Sequence, residues 1–418
     1  MNSGSASAGS DGLYLTTSKR FEFSASHRLF VPGWSEEENL RVYGRESRGT
    51  KGHGHNFVVF LVVHGPVDAR TGMLMNVTTI KERGLDLLAG RFDHKFLNHD
   101  TPPFDAIVPT AENIAERILA ESVPRFDDQP ARPVVCHLLE PPLWEGTAYE
   151  DGRVERSASL RFSAARRTFS PHLSDEENRS LFGICSAPAG HGHNYELRVT
   201  LAGDVDHTSG VIFPPSEAEK IFSELRGRFD HRNLNVDLAD YGSRPMTTEC
   251  LSRYIWTKLA PRLPLARLRL SENEDFFVEY HAGDRFFMGL RLGFLAAHRL
   301  HSPRFSEEEN RRVYGKCTNP EGHGHDYRVE ATFRGTLDER RGILFPLDSL
   351  LAGLRKVLDA WDYTHLEEET GEFDENPSTG ENIVQILWSK LDGIAGATLA
   401  RLRLWETANN RFTLRGNK

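Results

Sequence analysis

The sequence predicts an α+β fold class with one domain built three times in tandem, and three observations predict it. The tripeptide His-Gly-His occurs at His53-Gly54-His55, His191-Gly192-His193 and His323-Gly324-His325, each time followed by Asn or Asp and then an aromatic residue. The intervals of 138 and 132 residues far exceed the roughly 20 to 50 residues of solenoid and propeller repeats, so each copy marks a whole domain. A length of 418 residues agrees, because it corresponds to about three domains at roughly 150 residues each.

Aligned on His-Gly-His, each unit opens with a segment that becomes its first strand: Phe23-Ser-Ala-Ser-His27, Phe162-Ser-Ala-Ala-Arg166 and Phe294-Leu-Ala-Ala-His298. Next come Ser35-Glu-Glu-Glu38, Ser174-Asp-Glu-Glu177 and Ser306-Glu-Glu-Glu309, each read as a capping box that starts a short helix. The segment after His-Gly-His is a strand. Tyr195, Leu197, Val199 and Leu201 alternate with Glu196, Arg198 and Thr200, and Tyr327, Val329, Ala331 and Phe333 repeat the pattern, so one face is expected to be buried and one wet. In the first copy Phe57 to Val63 is apolar on both faces, which suggests a strand covered on two sides or a plain core strand. Glu112 to Ile118 and Glu381 to Trp388 space their apolar residues as helices do, and each unit then closes with a strand. The units are expected at residues 13–150, 151–288 and 289–418, with the proline-containing stretch Pro124 to Pro133 a loop inside the first.

Hydrophobic content of 39%, charged content of 27% and a net charge of −9 exclude a basic chain that would seek nucleic acid or an anionic membrane. No run approaches the length of a transmembrane helix. Met1 to Gly12 is rich in Ser, Gly and Ala without a basic start or an apolar core, and reads as a disordered tail, not a signal peptide. Four sparse cysteines, Cys136, Cys185, Cys250 and Cys317, suit a reducing compartment, and the expected location is cytoplasmic.

The histidines carry the chemistry. Residues i and i+2 of a strand point to one side, so His53 and His55 can present two imidazoles to one point, with Gly54 leaving the space between them open. A third imidazole from His27 completes a three-nitrogen set, the ligand count of a catalytic Zn2+ whose fourth position is free. His298, His323 and His325 repeat the set. In the middle copy Arg166 stands in place of the first His, and His191 and His193 alone should bind zinc poorly.

With Cys317-x5-His323-Gly-His325, the Asp-His pairs and Glu406-Thr407, the chain resembles the 6-pyruvoyltetrahydropterin synthases and the related 6-carboxytetrahydropterin synthases, three times over from about Leu13 to Leu414. The resemblance implies the T-fold, in which a four-stranded antiparallel sheet carries two helices and three units close into a barrel. Here one chain would form its own pseudo-trimeric ring, and two chains could pair face to face as a homodimer. It also implies a zinc-dependent lyase acting on a small-molecule pterin triphosphate, 7,8-dihydroneopterin triphosphate. Cys317 and Cys185 stand at the family's catalytic position, six residues before the first His. In the first copy that place matches Glu46 counted from Tyr43-Gly, or Ser47 counted back from His53, because one residue is inserted.

The family's Asp-His pair matches Asp93-His94 and Asp230-His231, and the resemblance implies that a neighbouring repeat supplies it. The third copy has Asp362-Tyr363, with His365 two residues on as a substitute. Glu140, Glu272 and Glu406 match the carboxylate that anchors the pterin ring. Thr110, Thr247 and Thr379 match a second pterin-contact region and serve equally well as helix caps. Only the third copy has both a three-His set and a Cys, so one composite site per chain is expected, with 6-pyruvoyltetrahydropterin as product. Three alternatives stand beside it: a 6-carboxytetrahydropterin synthase of the queuosine pathway, hydroxymethyl-pterin formation at Glu46, and a non-catalytic pterin-binding ring.

Overall fold

The computed structural model describes residues 13–416, so the expected tail at Met1 to Gly12 lies outside the described residues. The first unit runs β1 (Tyr14–His27), α1 (Glu36–Tyr43), β2 (His53–His64), α2 (Val77–Arg91), β3 (Lys95–Phe96), α3 (Leu97–Asp100), α4 (Ala111–Ser122), β4 (Arg132–Glu140) and β5 (Trp144–Tyr149). The second repeats this order as β6 (Val154–Arg166), α5 (Asp175–Phe182), β7 (His191–Ala202), α6 (Pro215–Phe229), β8 (Arg232–Asn233), α7 (Leu234–Asp237), α8 (Thr248–Leu259), β9 (Leu265–Ser271) and β10 (Phe276–His281). The third is β11 (Arg285–His298), α9 (Glu307–Tyr314), β12 (His323–Gly335), α10 (Leu347–Leu358), β13 (Thr364–His365), α11 (Leu366–Glu369), α12 (Gly380–Leu391), β14 (Thr398–Thr407) and β15 (Asn410–Arg415).

Each unit therefore closes with a two-strand hairpin where the sequence suggested a single strand. The last strand is short, and in β5 Gly146 interrupts the two-residue period that would reveal it. That glycine is required by packing, since a Cβ there would lie 2.1 Å from the carbonyl oxygen of Ala111. The long strands are antiparallel and follow the order β10-β9-β7-β6-β5-β4-β2-β1-β15-β14-β12-β11, and β11 returns to β10, closing a 12-strand barrel of three T-fold units. The hairpins β5–β6 and β10–β11 join successive units, while β1 pairs with β15 from Tyr14↔Arg415 to Lys19↔Asn410 and seals the chain ends together. Because β11 begins at Arg285, the expected boundary at Gly289 falls inside a strand. The stretch from Pro124 to Pro133 lies within the first unit as a 3-10 turn leading into β4, with Pro133 at a β-bulge where its missing N–H costs no ladder bond.

The helices cover the outer face of the barrel. In the first unit Phe57, Val59, Leu61 and Val63 of β2 pack under Ile80 and Leu87 of α2 and Ile114 and Ile118 of α4. Each such side chain contributes roughly 1.5–3 kcal/mol on burial. The other units have equivalent cores, and neighbours reach into them: Trp144 joins the second core and Leu15 the third. The face expected to be wet instead lines the barrel lumen, where Glu330 and Thr332 are buried. In β2 the same inward face carries Val58, Phe60 and Val62, which are more covered than open, as its two-sided apolar pattern suggested. Capping boxes form at Ser174 and Ser306. At Ser35 only half forms, because the Glu38 carboxylate turns to Arg41 at 2.7 Å and leaves the Ser35 N–H. Among the described residues no helix is long and apolar enough to cross a membrane.

Candidate functional site

The last residue of β1 pairs with the first of β2, placing His27 opposite His53, and Ala25 opposite His55. The same register sets Arg166 against His191 and His298 against His323. All these side chains point to the outer face, at the strand ends, under the loop that leads into α4, α8 or α12.

In the first unit the ligand atoms of His27, His53, His55 and Glu140 lie within 4.8 Å of one another. His27 Nδ1 lies 2.8 Å from the Pro109 carbonyl, so it donates its proton there and turns an unprotonated Nε2 toward the cluster. Glu140 Oε1 stands 3.4 Å from His27 Nε2 and 3.6 Å from His55 Nε2. The Nε2 atoms of all three imidazoles and Glu140 Oε1 are buried without a hydrogen-bond partner. Four unsatisfied donor atoms converging on one point are the arrangement a small cation would fill. Burial and the neighbouring imidazoles push His53 down to about 4, which keeps it neutral and able to ligate. Burial lowers His27 as well, but the Glu140 carboxylate outweighs it and raises the pair's imidazole.

In the third unit His298, His323 and His325 converge in the same way. His298 Nδ1 is 3.1 Å from the Ser378 carbonyl, and its Nε2 is 3.1 Å from His323 Nε2. Burial and the other two imidazoles hold His298 down at about 3. Glu406 Oε1 stands farther off, 3.9 Å from His298 Nε2 and 4.0 Å from His325 Nε2, and its Oε2 accepts from Asn410.

The middle unit differs by one side chain. Arg166 is buried, and its guanidinium reaches Glu272, while Thr248 Oγ1 donates to the same carboxylate at 2.5 Å and His193 Nε2 lies 2.9 Å from its other oxygen. His191, His193 and Glu272 still form a group that could hold an ion. The arginine charge already sits among them and holds the Glu272 carboxyl far below the usual range, with burial opposing.

The inserted residue of the first unit is also placed. The turns Gly44–Ser47, Gly183–Ser186 and Gly315–Thr318 superpose by their hydrogen bonds: the last hydroxyl of each donates to the first carbonyl at 2.8, 2.8 and 2.9 Å. The third-position carbonyls of Glu46, Cys185 and Cys317 each accept from the backbone N–H two residues past the histidine or arginine, in the loop after the strand, at Leu29, Thr168 and Leu300. Glu46 therefore holds the cysteine position, Ser47 matches Ser186 and Thr318, and the extra residue lies in the loop after the turn. Burial, then Glu140, pushes the Glu46 carboxyl up to about 7. Burial, then Glu406, pushes the Cys317 thiol up.

A family profile described as 6-pyruvoyl tetrahydropterin synthase matches residues 16–142, 156–283 and 290–417. The chain belongs to that family. Among its 6-pyruvoyl tetrahydropterin synthase relatives, the 6-pyruvoyl tetrahydrobiopterin synthase of Pongo abelii is 39% identical over 128 residues, covering 30% of this chain and 88% of the relative. The Homo sapiens enzyme of the same name is 38% identical over 128 residues with the same coverage. A solved structure of Caenorhabditis elegans 6-pyruvoyl tetrahydropterin synthase is 34% identical, covers 32% of this chain and 96% of its own, and has a TM-score of 0.31. As a member of the 6-pyruvoyl tetrahydropterin synthase family, this is a pterin-metabolising protein with histidine clusters that could hold metal.

The remaining expected residues sort by their contacts. Asp93 accepts from Ser24 N at 2.9 Å and holds His94 Nδ1 at 2.9 Å; Asp230 accepts from Ser163 N at 2.9 Å and holds His231 Nδ1 at 3.1 Å. The two imidazoles are 83% and 84% exposed, ready for an outside group. Tyr363 takes the same position, with φ of 59° against 56° for both histidines. His365 instead lies in β13, paired with Ala297 beside the loop before His323, so it does not occupy the dyad position. Thr110, Thr247 and Thr379 cap α4, α8 and α12, and each hydroxyl also donates across a unit junction, to Gly210, Gly342 and Gly72.

Two features were missed in the sequence. Glu140 and Glu272 stand inside the imidazole groups, beyond the pterin-contact role expected of them. Buried Glu112, Glu249 and Glu381, two residues after each capping Thr, reach the next unit: Glu112 takes Arg156 at 3.0 Å, and Glu249 and Glu381 accept from Leu344 N and Leu74 N at 3.2 Å. The recurring Thr-x-Glu was the available signal.

Proposed function

We propose that the chain is a zinc-dependent lyase that converts 7,8-dihydroneopterin triphosphate to 6-pyruvoyltetrahydropterin at one working site, in the third unit. The observation that carries this reading is the convergence of His298, His323 and His325 in the unit whose turn also bears Cys317, with Glu406 close enough to act on both. His298, His323 and His325 would hold Zn2+; in the first unit His27, His53 and His55 would do so, with Glu140 beside them. Bound zinc supplies Lewis-acid polarisation of the substrate's side-chain oxygens and positive charge that favours the thiolate.

Glu406 has one oxygen fixed by Asn410 and aligns the pterin ring through its N–H donors. Cys317 takes a carbon-bound proton from the side chain; the electron pair of that bond reduces the pterin ring as the side chain is oxidised, and triphosphate leaves by elimination from the side chain. An Asp-His pair, Asp93-His94 or Asp230-His231, then moves a proton at the substrate oxygen, the aspartate fixing the imidazole tautomer. Because both imidazoles stand exposed, a second ring stacked on this one could also bring a pair to the site, which is the proposed homodimer. Free cysteines accord with a cytoplasmic location.

A second reading belongs to the first unit. Glu46 occupies the turn position of Cys317, so a carboxylate base there would cleave the side chain to a hydroxymethyl pterin. Incubating the zinc-loaded protein with dihydroneopterin triphosphate and identifying products by mass spectrometry tests both. The pyruvoyl product is expected from the native chain and absent from Cys317→Ala. Undiminished pyruvoyl product in that variant overturns the first reading, and hydroxymethyl product surviving in Glu46→Gln overturns the second.

A further inference from the structure

Four arginines project into the barrel lumen from two paired strands near the seam. On β14 and β15 Arg401 stands directly opposite Arg415, and Arg403 lies diagonal to both Arg415 and Arg411 through its partner Thr413. Like charges placed directly opposite on paired strands destabilise a sheet unless something compensates them. Carboxylates compensate part of the set. Arg401 pairs with Glu279 at 2.7 Å, and Arg403 with Glu330 at 2.9 Å.

Those carboxylates are shared. Glu279 also faces Arg269 at 3.7 Å, and Glu330 also takes Arg269 and Arg291, each at 2.9 Å. Among the described residues Arg411 and Arg415 have no carboxylate within ion-pair distance. Arg411 reaches only Ser18 Oγ at 3.5 Å and the Phe60 ring at 5.3 Å, and its Nε is buried without a partner. The Nε atoms of Arg401 and Arg403 are likewise unpartnered.

Exposure separates the two signs. Glu330 is 0% and Glu279 8% exposed, whereas the side chains of Arg401 and Arg403 are 16% and 19% exposed and Arg415 is open to solvent. Water in the lumen therefore meets guanidinium heads above covered carboxylates. In this enclosed space burial pulls Arg411 down to about 10, with Glu330 opposing and the neighbouring Arg415 and Arg401 reinforcing the shift.

We propose that the lumen is an oxyanion site, in which Arg401, Arg403, Arg411 and Arg415 bind a multivalent phosphate. Planar guanidinium forks match phosphate oxygens two at a time, and an anion among them removes the cross-strand repulsion. This face of the sheet is opposite the histidine clusters, so the site is separate from the metal centres and does not rest on the proposed reaction. The shared chemistry is a phosphate chain, free or carried on an organic group.

The test uses the full chain and titration calorimetry at fixed ionic strength, with inorganic tripolyphosphate and ATP as separate probes. Saturable binding of tripolyphosphate is expected, weakened at least about tenfold in Arg411→Gln/Arg415→Gln. Equal binding of ATP would assign any phosphate chain to the site, and binding of tripolyphosphate alone would assign free polyphosphate. The double variant should also melt higher than the native chain in phosphate-free buffer, since it removes the opposed charges, and should lose the rise in Tm that tripolyphosphate gives. Arg411→Lys, which keeps the charge and loses the fork, should show intermediate affinity and serves if the double variant does not fold. No saturable binding, unchanged affinity in the variants, or binding abolished by chelating metal while these variants retain it would overturn the proposal.

Discussion

At position 166 a guanidinium stands where the other two units place an imidazole, and that one side chain separates a potential metal site from an internally neutralised one. Arg166 meets His191 in the register that His27 and His298 share with their partners, so a histidine there has the backbone it needs. Arg166→His should raise bound zinc from about two to about three per chain, measured by metal analysis after dialysis; a content that stays unchanged would show that the arginine is not what excludes the ion. A buried carboxyl of the same unit, at its junction with the third, predicts a pH effect. Burial pushes Glu249 up to about 7, with Arg166 and the Leu344 N–H opposing and Glu272 reinforcing. The folded chain then keeps a proton that the unfolded chain releases near the usual carboxylate value, so Glu249 costs stability as pH rises from about 4.5 to 7. Glu249→Gln should stabilise by on the order of 1–3 kcal/mol at pH 8 and by little at pH 4.5, read from denaturant midpoints. The substitution at residue 166 was legible in sequence, because repetition supplies its own comparison. The raised carboxyl was not, since nothing local says that Glu249 is covered by the next unit.

The helix that each Thr-x-Glu opens does two jobs with its cap and first turn. Thr379 Oγ1 accepts from Asn382 N at 3.3 Å and donates to the Gly72 carbonyl at 2.6 Å, so one hydroxyl caps α12 and ties the third unit to the first. Thr379→Ala should cost about 1–2 kcal/mol, a cap together with an interface hydrogen bond, and Thr379→Ser should recover most of it. Equal losses for both variants in thermal melts would point to the methyl group instead. Helix starts were readable because Ser, Thr and their acidic partners act within one turn. Closing hairpins were harder: Trp144–Tyr149 is six residues long and holds a glycine that close approach of α4 demands, a reason that lies elsewhere in the chain. The half-formed cap at Ser35 has the same character, since Arg41 competes for Glu38 only once the helix exists.

The ring as a whole depends on one non-covalent seam. Two of its unit junctions are continuous hairpins, but the third is the pairing of β1 with β15, whose residues are nearly 400 positions apart. Removing residues 408–418 would leave β1 and β14 with open edges carrying unpaired N–H and C=O groups. Such a truncated chain should associate or aggregate where the full chain gives one species in size-exclusion chromatography; a well-behaved truncated species of unchanged size would show that the seam is dispensable. The sequence by itself determined the threefold repetition, the α+β class, the three histidine groups and the inequality among them, because strand period, capping and repeat register are local properties. Tertiary structure alone decided that Glu46 takes the cysteine position, that Glu140 and Glu272 stand among the imidazoles, and that the polar strand faces line a lumen. Those facts depend on barrel closure, which brings together side chains hundreds of residues apart and turns a face that alternation marks only as polar into an enclosed, positively charged surface.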